Sequence, residues 1–330
     1  MTTPRFAVAA IGNAIVDILA HADDAFLAGR GMAKGGMMLI DGPTADSLYE
    51  AMGPAIEASG GSAANTAAGI ASLGGAVAYV GKVNGDLLGK VFTHDIRAIG
   101  VHFDTPALTD GPATARCMVL ITPDAERTMN TYLGACTRMT PDDIDETVIA
   151  DAAVTYVEGY LWDQPDAKQA ILKAAKAARA AGRKVALSLS DAFCVDRHRA
   201  EFLDLIATSV DILFANEQEI CHLYGVASFD EAVEKVRGQV GLAALTRGAA
   251  GSVVVTADQT VEVVAHVPDA VVDTTGAGDL YAAGFLHGLT TGRPLTDCAR
   301  LGGLCAAECI SHVGPRPQVS LADLVKRHLG

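Results

Sequence analysis

The chain has 330 residues, with 39 Asp and Glu against 25 Lys and Arg for a formal charge of −14, and half of it is apolar although only 5 % is aromatic. A chain this long buries a large core without disulfides or metals, which excludes disorder and a disulfide-stapled mini-fold. The acidic balance supplies no clustered cations for nucleic acid or an anionic membrane, so the expected partner is a small molecule.

At the start of the chain, Gly12-Asn13 and Asp17 interrupt the first apolar run too early for a signal-peptide core. No run approaches the ~18 apolar residues of a membrane span, so the mean hydropathy of +0.28 reads as a buried sheet. The seven cysteines are odd in number, lack a Cys-x-x-Cys pair and mostly sit in apolar stretches. They read as reduced thiols in a cytoplasmic protein.

Short apolar runs at 6–11, 76–80, 153–157, 185–189, 211–214 and 242–245 predict buried strands. Between them, 3–4 residue apolar spacing predicts helices over 62–73, 87–99, 165–181, 199–208 and 230–237. Strand alternating with helix gives βαβ units and an α/β fold with a mostly parallel sheet. Two stretches break the rhythm, about 14–41 and 101–136, where 116–122 and 128–133 look like strands of a small antiparallel layer. They are expected to meet as a lid on one domain spanning 1–330. A β-rich stretch, 251–267, and two Gly/Ala-rich helices, 276–289 and 295–310, complete the chain.

The most informative motif is Asp273-Thr-Thr-Gly-Ala-Gly-Asp279, directly before an apolar helix. Gly276, Ala277 and Gly278 leave free N–H groups at a helix start, where the dipole favours an anion. Asp279 in the first turn would repel a phosphate unless it has a task, such as taking a proton from an attacking hydroxyl. Phosphoryl transfer follows, although an isolated motif of this kind also fits a tight turn with a capped helix.

Gly60-Gly61-Ser62 opens another helix, with Asn65 one turn inside it, placed to bind a substrate hydroxyl. Asn13 and Asp17 follow the first strand and can grip vicinal hydroxyls, or be a turn residue and a solvated acid. Asn216 and Glu219 lie beyond a strand's carboxyl end; they cap a helix or hold Mg²⁺ through water. Thr246, Arg247 and Gly248 close another strand and can shape a nucleotide-phosphate loop. Arg127 is a candidate charge for the moving phosphoryl group. Gly75…Gly81-Lys82-Val83 fails as a P-loop, with five residues between the glycines and Val83 where Ser/Thr is required. No Gly-x-Gly-x-x-Gly follows the first strand, so a dinucleotide dehydrogenase is not supported. The histidines show no zinc-ligand spacing.

In order and spacing, Gly60-Gly61…Asn65, Asn216…Glu219 and the 273–279 motif resemble the ribokinase-like (PfkB) kinases over nearly the whole chain. That resemblance implies a three-layer α/β/α fold with a small β lid and ATP as co-substrate. It makes Asp279 the base, Gly276 to Gly278 the anion hole, Asn216 and Glu219 the Mg²⁺ organisers, and Asp273, Thr275 and the Gly314 loop part of a monovalent-cation (K⁺) site in some members. Within the family, Gly12-Asn13-Ala-Ile-Val-Asp17, Leu187-Ser-Leu-Ser190 with Phe193, and the 121–135 stretch look most like adenosine kinases. This implies Asn13, Asp17, Gly61 and Asn65 on a ribose, Ile15, Leu133 and Tyr160 or Leu161 flanking a base, and Arg127 near the phosphoryl group. Tyr160-Leu161-Trp162 stands where those enzymes carry an aromatic pair, and Thr275 replaces Asn. The alternatives are a kinase of ribose, fructose or 2-keto-3-deoxygluconate, or a nucleoside- or sugar-binding protein without catalysis. Oligomeric state, monomer or homodimer, turns on how apolar the lid's outer face is.

Overall fold

The computed structural model describes residues 3–124 and 126–329. Its strands in chain order are β1 (Phe6–Ile11), β2 (Ile15–His21), β3 (Met37–Leu39), β4 (Ala55–Gly60), β5 (Val77–Val80), β6 (Ala115–Ile121), β7 (Arg127–Tyr132), β8 (Ala152–Glu158), β9 (Lys184–Ser188), β10 (Ile212–Asn216), β11 (Leu242–Thr246), β12 (Ser252–Val255) and β13 (Thr260–Val263). They form an eight-stranded sheet in the order β13-β12-β11-β10-β9-β8-β1-β5 and a five-stranded sheet in the order β3-β7-β6-β2-β4.

Apolar residues on both faces of β1, β8 and β11 leave these strands stable only between two helical layers. One face, with Val8, Ala10 and Tyr156, packs on helices Ser62–Ser72, Ala277–Thr290 and Leu295–Cys309. The other, with Ala9, Ile11 and Val157, packs on helices Pro165–Ala180 and Ala192–Ser209. From β5 across to β11 the neighbours are parallel, and only β12 and β13 join antiparallel. The result is the expected three-layer α/β/α fold. Parallel topology brings the carboxyl ends of β1, β8, β9, β10 and β11 to one edge, where such sheets bind ligands.

The small sheet divides its residues by strand alternation. Val16, Ile18, Met118 and Leu120 are buried together with Leu27, Ala45 and Leu48 of helices Asp24–Gly29 and Gly42–Ala51. Ile15, Asp17, Leu19, Cys117, Val119 and Met129 face a cleft over the carboxyl edge of the main sheet. The sheet draws on both stretches expected to form a lid and also on β4, which lies outside them. β4 carries no apolar alternation, with Ile56 72 % exposed on an edge strand. Residues 101–114 add no strand to it; Val101 and Phe103 instead enter the main core. Helix Ala192–Ser209 begins before the predicted 199 because a non-helical residue, His198, breaks its periodicity.

All seven cysteines are free thiols. Among the described residues no helix is long and apolar enough to cross a membrane.

Candidate active site

A cleft of about 900 Å³ runs between the two sheets along the carboxyl edge of the larger one. At its centre is Asp279, in the first turn of helix Ala277–Thr290, behind Gly276 in the left-handed region at φ 79°. The helical ladder begins with Leu280 N–H to Gly276 O at 2.8 Å. The amides of Gly278 and Asp279 precede it and are not used by the helix, so they point an anion site into the cleft. Ala277 N–H is partly spent on Thr274 O at 3.2 Å.

Helix Ser62–Ser72 holds Asp279 from the opposite side. Ser62 Oγ donates to Oδ1 at 2.6 Å, Asn65 Nδ2 donates to Oδ2 at 3.0 Å, and Thr66 Oγ1 donates to the Asp279 carbonyl at 3.1 Å. Burial pushes the Asp279 carboxyl above the usual carboxylate range, while the Ser62 and Asn65 hydrogen bonds and the charge of Arg316 pull it back. A carboxylate fixed on both oxygens, with a raised proton affinity, suits a general base.

The approach of that helix depends on two glycines. Gly61 has φ 96°, and a Cβ there would lie 2.1 Å from the Asn13 carbonyl oxygen. A Cβ on Gly60 would lie 2.2 Å from an Asp17 carboxylate oxygen. Asn13 gives its backbone N–H and its Nδ2 to Glu158 Oε1 at 2.8 and 2.6 Å, and Glu158 Oε2 accepts from Ala63 N at 2.9 Å. Burial lifts Glu158 to about 7 and Asp17 to about 6, the latter opposed by Arg316 and Arg127. Asn13, Ile15, Asp17, Gly61, Ser62, Asn65, Leu133 and Tyr160 all line the cleft. Leu161 does not: it is buried with Trp162 in the core beneath β8, because the short helix Gly159–Asp163 turns it inward.

At the other end of the cleft stand Asn216, Glu219, Thr246, Gly248 and Thr275. Asn216 and Glu219 form a reciprocal capping box, with Glu219 N to Asn216 Oδ1, Asn216 N to Glu219 Oε2, and Asn216 Nδ2 to Glu219 Oε1, at 2.8, 2.8 and 2.7 Å. Burial raises Glu219 to about 7. Arg247 turns away from the cleft, its guanidinium 4.4 Å from the centre of the Phe229 ring. Arg127, at the start of β7, pairs with Asp273 Oδ2 at 2.8 Å, and both side chains are buried. Asp273 also accepts from Thr275 N at 3.1 Å and Gly314 N at 2.9 Å.

Residues 56–321 match the family model described as pfkB family carbohydrate kinase. The chain belongs to the PfkB family. A crystal structure of adenosine kinase from Sinorhizobium meliloti is 56 % identical, with a TM-score of 0.92 over 98 % of this chain and 99 % of that one. A probable sugar kinase from Rhizobium etli CFN 42 is 52 % identical, with a TM-score of 0.93 over 98 % of both chains. Adenosine kinase of Saccharomyces cerevisiae is 28 % identical over 96 % of this chain and 97 % of its own length. This PfkB protein is therefore a phosphotransferase that uses ATP and takes an alcohol group on a small molecule as acceptor.

The residues suggested for the two cations fare differently. Glu219 keeps lone pairs beyond the capping box and faces the cleft with Asn216, an all-oxygen donor set that fits a hydrated Mg²⁺. Asp273 is neutralised by Arg127 and carries two N–H donors, so a monovalent cation would meet a guanidinium beside its only carboxylate. The Asp273, Thr275 and Gly314 arrangement does not fit K⁺.

Glu158 and Arg316 carry no motif in the sequence. Glu158 ends a buried strand at the sheet's carboxyl edge, a position that could have marked it; Arg316 lies in Gly314-Pro-Arg-Pro317, with only its rigid flanks as a signal.

Proposed function

We propose that this kinase transfers the γ-phosphate of ATP to the 5′-hydroxyl of adenosine. The observation that carries the reading is the wall of the cleft made by the small sheet. Ile15, Leu19, Met37, Leu39, Cys117, Val119, Met129 and Leu133 turn apolar side chains into the cleft, with Asp17 the carboxylate among them on β2, opposite a polar floor of Asn13, Asn65 and Asp279. A free sugar offers hydroxyls on every side and would leave that wall without a matching surface, whereas a nucleoside presents hydroxyls to the floor and a flat base to the wall. Met37 and Leu39 are half exposed, apolar area that a base would cover.

The small sheet acts as a lid that excludes water over the bound nucleoside. Asn13, Asp17 and Asn65 fix the ribose, and Tyr160 closes the side of the base. Asp279 accepts the 5′-hydroxyl proton as that oxygen forms its bond to the γ-phosphorus. The bond from the γ-phosphorus to the bridging oxygen breaks, and ADP leaves with the electron pair. The free amides at Gly278 and Asp279 receive the charge on the moving phosphoryl oxygens. Asn216 and Glu219 would hold Mg²⁺ through water, where it would supply positive charge to the phosphates of ATP. Thr246, Gly248 and Thr275 flank the nucleotide.

A second reading, a sugar kinase, is favoured by the Rhizobium etli neighbour and by the two carboxylates, Asp17 and Glu158, beside the acceptor floor. It uses the same base and anion hole. Comparing kcat/KM for adenosine, inosine, guanosine, cytidine, ribose, fructose and 2-keto-3-deoxygluconate with Mg²⁺ and ATP separates them. Turnover led by adenosine is expected; turnover led by a free sugar would overturn the nucleoside reading.

A further inference from the structure

Behind Asp279 the hydrogen-bond network continues to a residue that the reaction itself does not touch. Arg316 leaves the loop before helix Leu321–His328 and turns into the protein rather than out to solvent. Its Nη1 donates to Ser59 Oγ at 2.5 Å and its Nε to Asn65 Oδ1 at 3.2 Å. Ser59, on β4 of the small sheet, gives its backbone N–H and its hydroxyl to Asp95 Oδ2, each at 3.0 Å. Asn65 passes an Nδ2 hydrogen to Asp279. One guanidinium thus ties the small sheet to the helix that steadies the catalytic carboxylate.

We propose that Arg316 is a positioning residue for phosphoryl transfer: by gripping Ser59 and Asn65 together, it fixes the amide that orients Asp279 and registers the small sheet against it. The proposal rests on the reading of Asp279 as the base. Three features favour it over a purely structural role. The Arg316 bond occupies Asn65 Oδ1, so the amide has only its hydrogens to offer Asp279. Arg316 Nη2 is buried without a hydrogen-bond partner among the described residues, a cost that a stabilising residue would avoid. The planar fork reaches two elements at once, a geometry that the point charge of Lys cannot reproduce.

The charges around Asp279 agree. Asp17 from β2 and Glu158 from β8 are the acids that interact with it, while Tyr156, Tyr160 and Cys309 are neutral at working pH. Burial pushes Asp279 and Asp17 up, and Arg316 is the cation that lowers both. Loss of Arg316 therefore raises the proton affinity of the base. Because the base must be deprotonated, the acid limb of kcat then moves to higher pH.

The test compares Arg316→Met, Arg316→Lys and Asp279→Asn with wild type, using adenosine and ATP, for kcat and KM from pH 5 to 9, with thermal unfolding as a check on folding. For Arg316→Met we expect kcat to fall by about 10²-fold at neutral pH, with a smaller change in adenosine KM and an acid limb displaced upward. Arg316→Lys should restore the acid limb, because it keeps the charge, and recover kcat only in part. A folded Arg316→Met with kcat and acid limb unchanged would overturn the proposal. Should that variant fail to fold, Arg316→Lys decides alone, and wild-type kcat in it refutes the need for a fork. Inactive Asp279→Asn beside normal Arg316→Met removes the positioning role only; fully active Asp279→Asn removes the base reading, and this proposal with it.

Discussion

Replacing Arg127 by Met cuts the buried pair that joins β7 to the loop below the anion hole. The partners are 7 % and 5 % exposed at the side chain, and the Asp273 carboxylate would be left buried without its cation. Breaking such a pair costs about 3–5 kcal/mol. Asp273 keeps the N–H groups of Thr275 and Gly314, so the lower end, about 3 kcal/mol, applies. With an unfolding entropy of about 2.1 cal/mol/K per residue, a chain of 330 residues loses roughly 4 °C in Tm. Thermal unfolding followed by circular dichroism, without ligands, measures this directly. The double variant Arg127→Met/Asp273→Asn removes both charges and should recover most of the loss. If the Arg127 side chain is the cation of this site, replacing potassium by tetramethylammonium at constant ionic strength should leave wild-type Tm and kcat unchanged. The same exchange should lower the Tm of Arg127→Met, whose bare carboxylate then has use for an ion. A single variant as stable as wild type, or a double variant no better than the single, would refute the reasoning.

Three further outcomes follow from particular residues. Gly61→Ala forces a left-handed Ala and a Cβ at 2.1 Å from the Asn13 carbonyl oxygen; acceptor KM should rise steeply, with about 1–3 kcal/mol of stability lost, as read by steady-state kinetics and urea unfolding. Burial lifts Glu158 and Glu219 to about 7 from 4.5, so between those values the native state holds more protons than the unfolded chain, and stability falls as pH rises from about 5 to 7. Urea midpoints across that range should decline, and Glu219→Gln should flatten the decline while raising the Mg²⁺ concentration needed for half-maximal rate. The far face of the small sheet is buried under helices Asp24–Gly29 and Gly42–Ala51, so size-exclusion chromatography with light scattering should give a monomer near 34.0 kDa.

The main sheet was legible because its strands are buried on both faces: in a chain of alternating strands and helices, uninterrupted apolar runs as short as 6–11 and 242–245 are too brief for a helix and too apolar for a loop. The anion hole was legible because glycines and an acid at a helix start carry their own physical logic. β4 was not, since its first three residues are exposed on both faces and carry no apolar alternation. The start of helix Glu217–Tyr224 was legible as the capping alternative for Asn216 and Glu219, which form a capping box there. Arg127 lines the cleft with Gly276 to Asp279, but its pairing with Asp273 brings together residues far apart in sequence that no local pattern links. Leu161 was misplaced because apolar character alone does not separate a cleft wall from the core one residue away. Arg316 escaped notice for the same reason that it matters: its partners come from β4 and helix Ser62–Ser72, at the other end of the chain.

The most direct test of the account is the kcat of Asp279→Asn with adenosine and ATP, alongside calorimetric binding of both ligands. Asn keeps the size of the side chain and can still satisfy Ser62 and Asn65, but it cannot take the hydroxyl proton. The account predicts adenosine and ATP affinities close to wild type and a kcat reduced by about 10²–10⁴-fold. A kcat within a few-fold of wild type, with binding intact, would contradict it.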